Sequence, residues 1–288
     1  MERVGVVVHP TRPVQDAVEV LEHWTSEHRI ELVQVLIGDQ PTVEPPGEVS
    51  ACDLIVALGG DGTILKALHA SARTQTPVLG VAYGSLGALT TVPTAELGSG
   101  LDRFAAGEWR ARHLSALAVD TAEGRIASAI NDLVLARGRG TQLVLDVRID
   151  EELYARLAGD GIVVATPLGS SAYSMAAGGS LLADGTTAFV CTPLAMHGGC
   201  APPLVVPNQG RVTLEVHPGH SGFYVDVDGF RVDAGAEQFE VTCRPSYATL
   251  VAADGSVTDL PRLRERGLIS DSPRVIGREL RAPQPSSS

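Results

Sequence analysis

The fold is decided by one stretch, LIVALGGDGTILKAL, from Leu54 to Leu68. Leu54 to Leu58 is an unbroken apolar run of strand length, as in a strand buried on both faces of a sheet. Ile64 to Ala72 then carries apolar residues at helical spacing, so the chain passes from strand to helix within Gly59, Gly60, Asp61, Gly62 and Thr63. Adjacent glycines turn the backbone without Cβ clashes, and a helix start offers free N–H groups and partial positive charge. Such a turn suits a phosphate. A carboxylate at its centre is therefore out of place: Asp61 or Thr63 is either a plain helix cap or a group with its own chemistry. The GxxxxGK[ST] lysine of a P-loop is missing, as is the GxGxxG spacing of a dinucleotide fold. Lys66 is the one lysine in the chain.

Outward from this turn, the first hundred residues alternate between two periodicities. Val4 to Val8 is a strand-like run, and Val14, Ala17, Val18, Leu21 and Trp24 follow at helical spacing. Ile30 to Ile37 and Pro77 to Val81 are further strand candidates, while residues 38 to 52, with Pro41, Pro45 and Pro46, form a loop. Alternating strands and helices predict a parallel sheet covered by helices. From about Trp109 the texture changes: His113 to Val119, Arg125 to Ile130 and Gln142 to Ile149 are short alternating segments separated by TAEG, GRGRG and DEE. Strand-like runs continue at Gly161 to Ala165, Ala188 to Thr192, Leu204 to Val206, Val212 to Val216, Phe223 to Val227 and Phe239 to Cys243. One helix is expected among them, over Ser171 to Ala177. The expected fold is α/β plus β. It has an N-terminal three-layer α/β domain with a parallel sheet (1–100), a C-terminal β-sandwich-like domain (101–270) and a partly flexible tail (271–288) ending in RAPQPSSS.

Composition narrows the function. In 288 residues, 44% apolar content fills a real core, and 34 acidic against 22 basic residues give a net charge of -12. With no Lys/Arg cluster, a sequence-independent grip on nucleic acid is excluded. The apolar run before His9 and Pro10 is too short for a signal peptide or a membrane span, so a cytoplasmic protein without a membrane partner is expected. Cys52, Cys191, Cys200 and Cys243 are widely spaced, form no CxxC and read as small core residues. No carboxylate cluster suggests a protein-built metal cage, so no metal ligands are assigned.

Two more stretches carry chemistry. GDGIVVATPLGSSAYSMAAGG, Gly159 to Gly179, leads a strand into Thr166, Pro167, Gly169, Ser170 and Ser171 at a second helix start. A well-capped helix is the plain account; the ring of Tyr173 could instead flank a flat base. In NDLVLARG, Asn131 to Gly138, Asn131 and Asp132 stand at a place where such residues end a strand or turn the chain. An amide can also read a nucleobase edge, and a carboxylate can hold two ribose hydroxyls.

GGDGT, LGVAYGSLGALT, the ND pair and DGIVVATPLGSSAYSMAAGG occur here in the order and spacing of the NAD kinase family, and HPTRP is similar to that family's opening. The resemblance spans roughly residues 4 to 230 and is far more specific than any one motif. It implies an α/β domain, a β-sandwich-like domain and an active site between them, in a homodimer or homotetramer. It also implies phosphoryl transfer from ATP or polyphosphate to the 2′-hydroxyl of the adenosine ribose of NAD, with Mg2+ or another divalent cation carried by the donor phosphates. Carried over by position, Asp61 faces the acceptor hydroxyl as the catalytic residue. Gly59, Gly60, Gly62 and Thr63 form the phosphate-approaching turn. Asn131 and Asp132 hold the adenosine part, Ser171, Ala172 and Tyr173 line the base pocket, Thr166 belongs to the same cofactor-binding set, and Asp160 contacts the nicotinamide end.

Several positions depart from the family pattern. Ala82 replaces an Asn, Ala88 a Phe, Leu168 a Thr and Pro202 an Arg, and Phe230 follows Asp228 and Gly229 where Gln is common; His197 keeps its place. Losing an amide, a hydroxyl and a guanidinium weakens recognition of a polar dinucleotide. That leaves open a relative that phosphorylates another nucleoside or nucleotide, a dinucleotide sensor without turnover and, more distantly, a lipid kinase sharing GGDGT.

Overall fold

The computed structural model describes residues 1–35, 49–83, 87–140, 142–217, 222–252 and 260–273. Strand β1 (Arg3–Val8), helix α1 (Gln15–His28) and strand β2 (Glu31–Gln34) make the first βαβ unit. Strand β3 (Leu54–Gly59), helix α2 (Asp61–Ser71) and strand β4 (Val78–Ala82) make the second. Every residue of β3 and β4 is buried, as parallel strands covered on both faces must be. Strand alternation divides β3: Leu54, Val56 and Leu58 pack with the α1 stripe Ala17, Val18, Leu21 and Trp24, whereas Ile55 and Ala57 pack with Ile64 and Leu68 of α2. Strand β5 (Val92–Pro93) and helix α3 (Leu97–Ala105) close the α1 side, where Trp24 Nε1 donates to Asp102 at 2.7 Å. Residue 100 lies within α3.

The β-rich half runs through β6 (Arg110–Thr121), β7 (Gly124–Ala129), β8 (Asp132–Arg137), β9 (Leu143–Ile149), β10 (Glu152–Gly159) and β11 (Gly161–Ala165). After the one-turn helix α4 (Tyr173–Ala176) come β12 (Ala188–Leu194), β13 (Leu204–Pro207), β14 (Arg211–His217), β15 (Phe223–Val227), β16 (Phe230–Val232), β17 (Gln238–Ala252) and helix α5 (Leu260–Glu265). One sheet has the order β13-β12-β11-β8-β15-β16. The other, β10-β9-β14-β17-β4-β3-β1-β2 with β5, β6 and β7 alongside, is continuous across both halves. Its join is β17, whose Val241 pairs with Val212 of β14 while Leu250 lies parallel to Val78 of β4. Phe189 and Phe239, both fully buried, anchor the core between the two sheets.

Local expectations change in four places. The helix over Ser171 to Ala177 is a 3-10 turn, Gly169–Ser171, followed by four-residue α4. Ala172 at φ -102°, ψ -122° leaves the helical path, and the Ser171 hydroxyl turns back to the Leu168 carbonyl at 3.1 Å. Asn131 turns the chain in the bend between β7 and β8, and Asp132 opens β8 instead of ending a strand. Cys52 and Cys191 are buried and Cys243 is half-buried, but Cys200 is exposed. Helix α3 and strands β10 and β16 join elements that periodicity alone had marked. Residues 38–48 of the proline loop, Gly84 to Leu86 of the LGVAYGSLGALT segment and the tail from 274 lie outside the described residues. No helix among the described residues is long and apolar enough to cross a membrane.

Candidate functional site

The glycine turn holds its aspartate in a defined place. Gly60, extended at φ -103°, precedes α2, and Asp61 is the first residue of the helix. The carboxylate does not cap its own helix: Oδ2 accepts the Ala88 N–H and Oδ1 the Leu89 N–H, each at 2.9 Å. Two charge-assisted bonds from the segment after β4 thus fix its orientation while leaving lone pairs on both oxygens. Gly87 makes room for it, since a Cβ there would lie 2.1 Å from Oδ1. Gly59 is needed for a similar reason, as its Cβ would meet the Thr63 hydroxyl at 2.4 Å, and Thr63 is itself buried. Gly62 is different: it is exposed, with nothing within 4 Å of a Cβ, so the open space beside the first turn of α2 is available to a ligand.

Arg12 completes this end of the site. Its guanidinium nitrogens would be 3.7 Å from a Cβ on Gly60, and Nη1 donates to the Tyr83 carbonyl. The loop that presents it is tied by His9, whose Nδ1 accepts the N–H groups of Thr11 and Arg12, both at 3.2 Å. Burial first, then the cations Arg12 and Lys66, hold the His9 pKa below its ordinary value, which keeps Nδ1 an acceptor. Lys66, one turn along α2, places its ammonium 5.6 Å from the Phe230 ring centroid.

Around Asn131 a second cluster forms. The Asn131 carbonyl accepts the Thr166 N–H at 2.9 Å, and a Cβ on Gly169 would meet that carbonyl at 2.0 Å. The Thr166 side chain is buried: its hydroxyl donates to the Ile130 carbonyl at 2.6 Å and accepts the Gly169 N–H at 3.1 Å. Thr166 is therefore a bracket between β11 and the head of β8, and its hydroxyl faces backbone on both sides. Asp132 is buried, and burial first, then the charge of Asp228, pushes its carboxyl up to about 6. Tyr173 and Ala172 are exposed. Partial burial first, then Tyr224, Asp160 and Asp132, raises the Tyr173 phenol above its ordinary value. Asp160, the residue between β10 and β11, pairs with Arg137 Nε at the end of β8 at 2.5 Å and stays partly exposed.

A cavity of about 30 Å³, room for a water, is lined in part by Ala88 from the segment that clamps Asp61 and by Pro167, Leu168 and Ser171 from the segment after β11. Ala88, which gives Asp61 its N–H, thus faces the segment that seats Asn131. A backbone N–H does this work at 88, so losing an aromatic side chain there leaves the clamp on Asp61 intact. Among the described residues, the one group of three possible metal ligands, Asp146, Glu215 and His217, sits on β9 and β14, where Arg156 already grips Asp146 at 2.7 Å through both oxygens.

Sequence reasoning missed Arg12, Gly87, His69 and Asp228. Asp228 is 2% exposed and accepts the N–H groups of Ile130, Asn131 and Asp132 at 2.9, 2.7 and 3.2 Å. The signal for it was the Asp228–Gly229 pair noted in the family pattern, to which no role was attached.

A clamped aspartate at the glycine turn of an α/β layer, joined through the shared sheet to a β-rich half that carries Asn131 and Asp132, is the arrangement with which known proteins can be compared. Residues 4–109 match the ATP-NAD kinase N-terminal domain and residues 130–253 the ATP-NAD kinase C-terminal domain. The NAD kinase of Heliobacterium modesticaldum is 34% identical over 242 residues, 80% of this chain and 85% of its own length. Among solved structures, a yeast NADH kinase complexed with NADH superposes with a TM-score of 0.81 at 25% identity, covering 94% of this chain and 89% of that one. An Archaeoglobus fulgidus NAD kinase in complex with ATP superposes at 0.71 and 23% identity, covering 92% and 96%. The chain belongs to the NAD kinase family.

Proposed function

We infer that this protein transfers the γ-phosphoryl group of ATP to the 2′-hydroxyl of the adenosine ribose of NAD, making NADP. The observation that carries the site assignment is the clamp on Asp61, which holds a carboxylate with free lone pairs at the mouth of an anion-accepting turn. In the transfer, the acceptor oxygen forms the new bond to phosphorus, the bond from phosphorus to the bridging oxygen breaks, ADP leaves and the hydroxyl proton passes to Asp61. The transition state is loose, so alignment and charge neutralisation supply most of the acceleration, and the base adds about 10²-fold or somewhat more.

Donor phosphates approach Gly60 and Gly62 with Arg12 and Lys66 as the nearby cations. Asn131 and Asp132 hold the adenosine ribose, Ser171, Ala172 and Tyr173 flank the base, and Asp160 serves the nicotinamide end. The donor phosphates would carry Mg2+ or another divalent cation, which would supply charge neutralisation; the protein's part is to place those phosphates. We read the protein as a cytoplasmic homodimer or homotetramer, in keeping with its family. A purified-protein assay with ATP or polyphosphate, Mg2+ and a panel of NAD, NADH and nucleosides, read by mass spectrometry, tests the assignment. NADP formation from NAD supports it; phosphate appearing only on another nucleoside overturns it.

A further inference from the structure

The Asp228 carboxylate is saturated. Besides the three consecutive N–H groups at the head of β8, it accepts His69 Nε2 at 2.7 Å, so four donors meet an acceptor-only group that is almost fully buried. Its backbone is held as well. Asp228 is in the left-handed region at φ 51°, followed by Gly229 at φ 80°, and its N–H returns to the Asp132 carbonyl at 2.9 Å. The β15–β16 turn and the head of β8 therefore move as one piece.

His69 ties that piece to α2. Its ring is fixed from both sides: Nε2 donates to Asp228, which can only accept, and Nδ1 meets the Tyr247 hydroxyl at 3.2 Å. Tyr247 reaches it because β17 bulges between Arg244 and Ala248, with Ser246 at φ 52°. Gln75 Nε2 holds the Tyr247 carbonyl at 2.8 Å, and the Arg244 guanidinium lies 4.9 Å from its ring centroid. Asp61 and His69 lie eight residues apart on α2, about 12 Å along a rigid rod. One end of the rod carries the carboxylate assigned to the acceptor hydroxyl. The other end is bolted to the backbone of the pair assigned to the same ribose.

We propose that His69 is a positioning residue for phosphoryl transfer: through Asp228 it sets the register between Asp61 and the Asn131–Asp132 pair. The proposal rests on the functional assignment above. A displacement of about 1 Å between base and acceptor costs on the order of 100-fold in rate, whereas the donor phosphates, bound at the other end of α2, are scarcely affected.

The test uses the full chain with ATP, Mg2+ and NAD, with NAD affinity measured separately by calorimetry. His69→Ala is expected to lower kcat by about 30- to 100-fold with the KM for ATP within about 2-fold of wild type. His69→Gln, whose amide can still donate to Asp228, recovers to within about 5-fold of the wild-type kcat. A His69→Ala kcat within about 3-fold of wild type overturns the proposal. So does an equal loss in the Ala and Gln variants, which would mark His69 as a general packing residue. If His69→Ala does not fold, Tyr247→Phe decides: a kcat loss of several-fold at unchanged ATP KM supports the strut, and unchanged kcat overturns it. Wild-type protein that leaves NAD unphosphorylated defeats the functional assignment instead, and the same variants are then compared on the acceptor found by the substrate panel.

Discussion

Replacing Gly87 with alanine perturbs the Asp61 carboxylate without touching the GGDGT turn. The new Cβ would lie 2.1 Å from Oδ1, 2.5 Å from Cγ and 2.7 Å from Oδ2 of Asp61, whereas real Cβ contacts are not found below 3.0 Å. Carboxylate and segment must therefore part by about 1 Å, and bonds now at 2.9 Å to the Ala88 and Leu89 N–H groups stretch beyond useful length. Misplacing a reacting group by about 1 Å costs on the order of 100-fold in rate. Two lost bonds to a charged, partly buried group also cost stability, about 1–3 kcal/mol. The assay is steady-state NADP formation with saturating ATP and Mg2+, alongside thermal melting. The expected result is kcat down by about two orders of magnitude with the KM for NAD within about 3-fold of wild type. Gly98→Ala is the control: on α3, with nothing within 4 Å of its Cβ, it keeps wild-type turnover. Wild-type kcat in folded Gly87→Ala would refute the idea that Asp61 acts from the position this clamp gives it.

Other expectations follow from the same geometry. Arg12→Ala should raise the KM for ATP by about 10-fold, the scale of one charged hydrogen bond, with the NAD affinity measured by calorimetry little changed. His9→Phe, which removes the acceptor shared by the Thr11 and Arg12 N–H groups, should raise the ATP KM in the same direction but by less. Asp132 has a folded pKa pushed up to about 6, above its unfolded value. Below about pH 4 both states bind the proton, and between about 4 and 6 only the folded state does; stability from this group is lost as pH rises through that window. Denaturant melts of wild type against Asp132→Asn should therefore show a flatter pH dependence in the variant between pH 4 and 6. The wild-type KM for NAD should also fall as Asp132 ionises through about pH 6.

What the sequence revealed was local. Strands β3 and β4 were legible because parallel strands buried on both faces need unbroken apolar runs, and the turn to α2 because adjacent glycines mark a break between periodicities, one of them, Gly59, standing where a Cβ would meet the Thr63 hydroxyl. Helix α3 was hidden by Gly98 and Gly100, poor helix formers, and is held instead by buried Leu97 and Leu101 and the Trp24–Asp102 bond. Strand β17 looked like a short strand because its bulge at 245–247 interrupts the pattern, yet that bulge presents Tyr247 to α2. Asp61, Asn131 and Asp132 could be picked out from motifs. Asp228 and His69 could not, since three amides and an imidazole from distant segments converge on one carboxylate only after folding. The part Thr166 plays was not legible, because a hydroxyl that brackets two backbones has the same sequence signal as one that meets a ligand.

The central claim is that the Asp61 carboxylate accepts the proton of the attacking hydroxyl, and Asp61→Asn tests it most directly. Single-turnover phosphate transfer to NAD, with NAD affinity measured by calorimetry on the same preparation, should show a rate lowered by about 100-fold or more and an affinity within a few-fold of wild type. A variant that transfers phosphate at the wild-type rate would contradict the account.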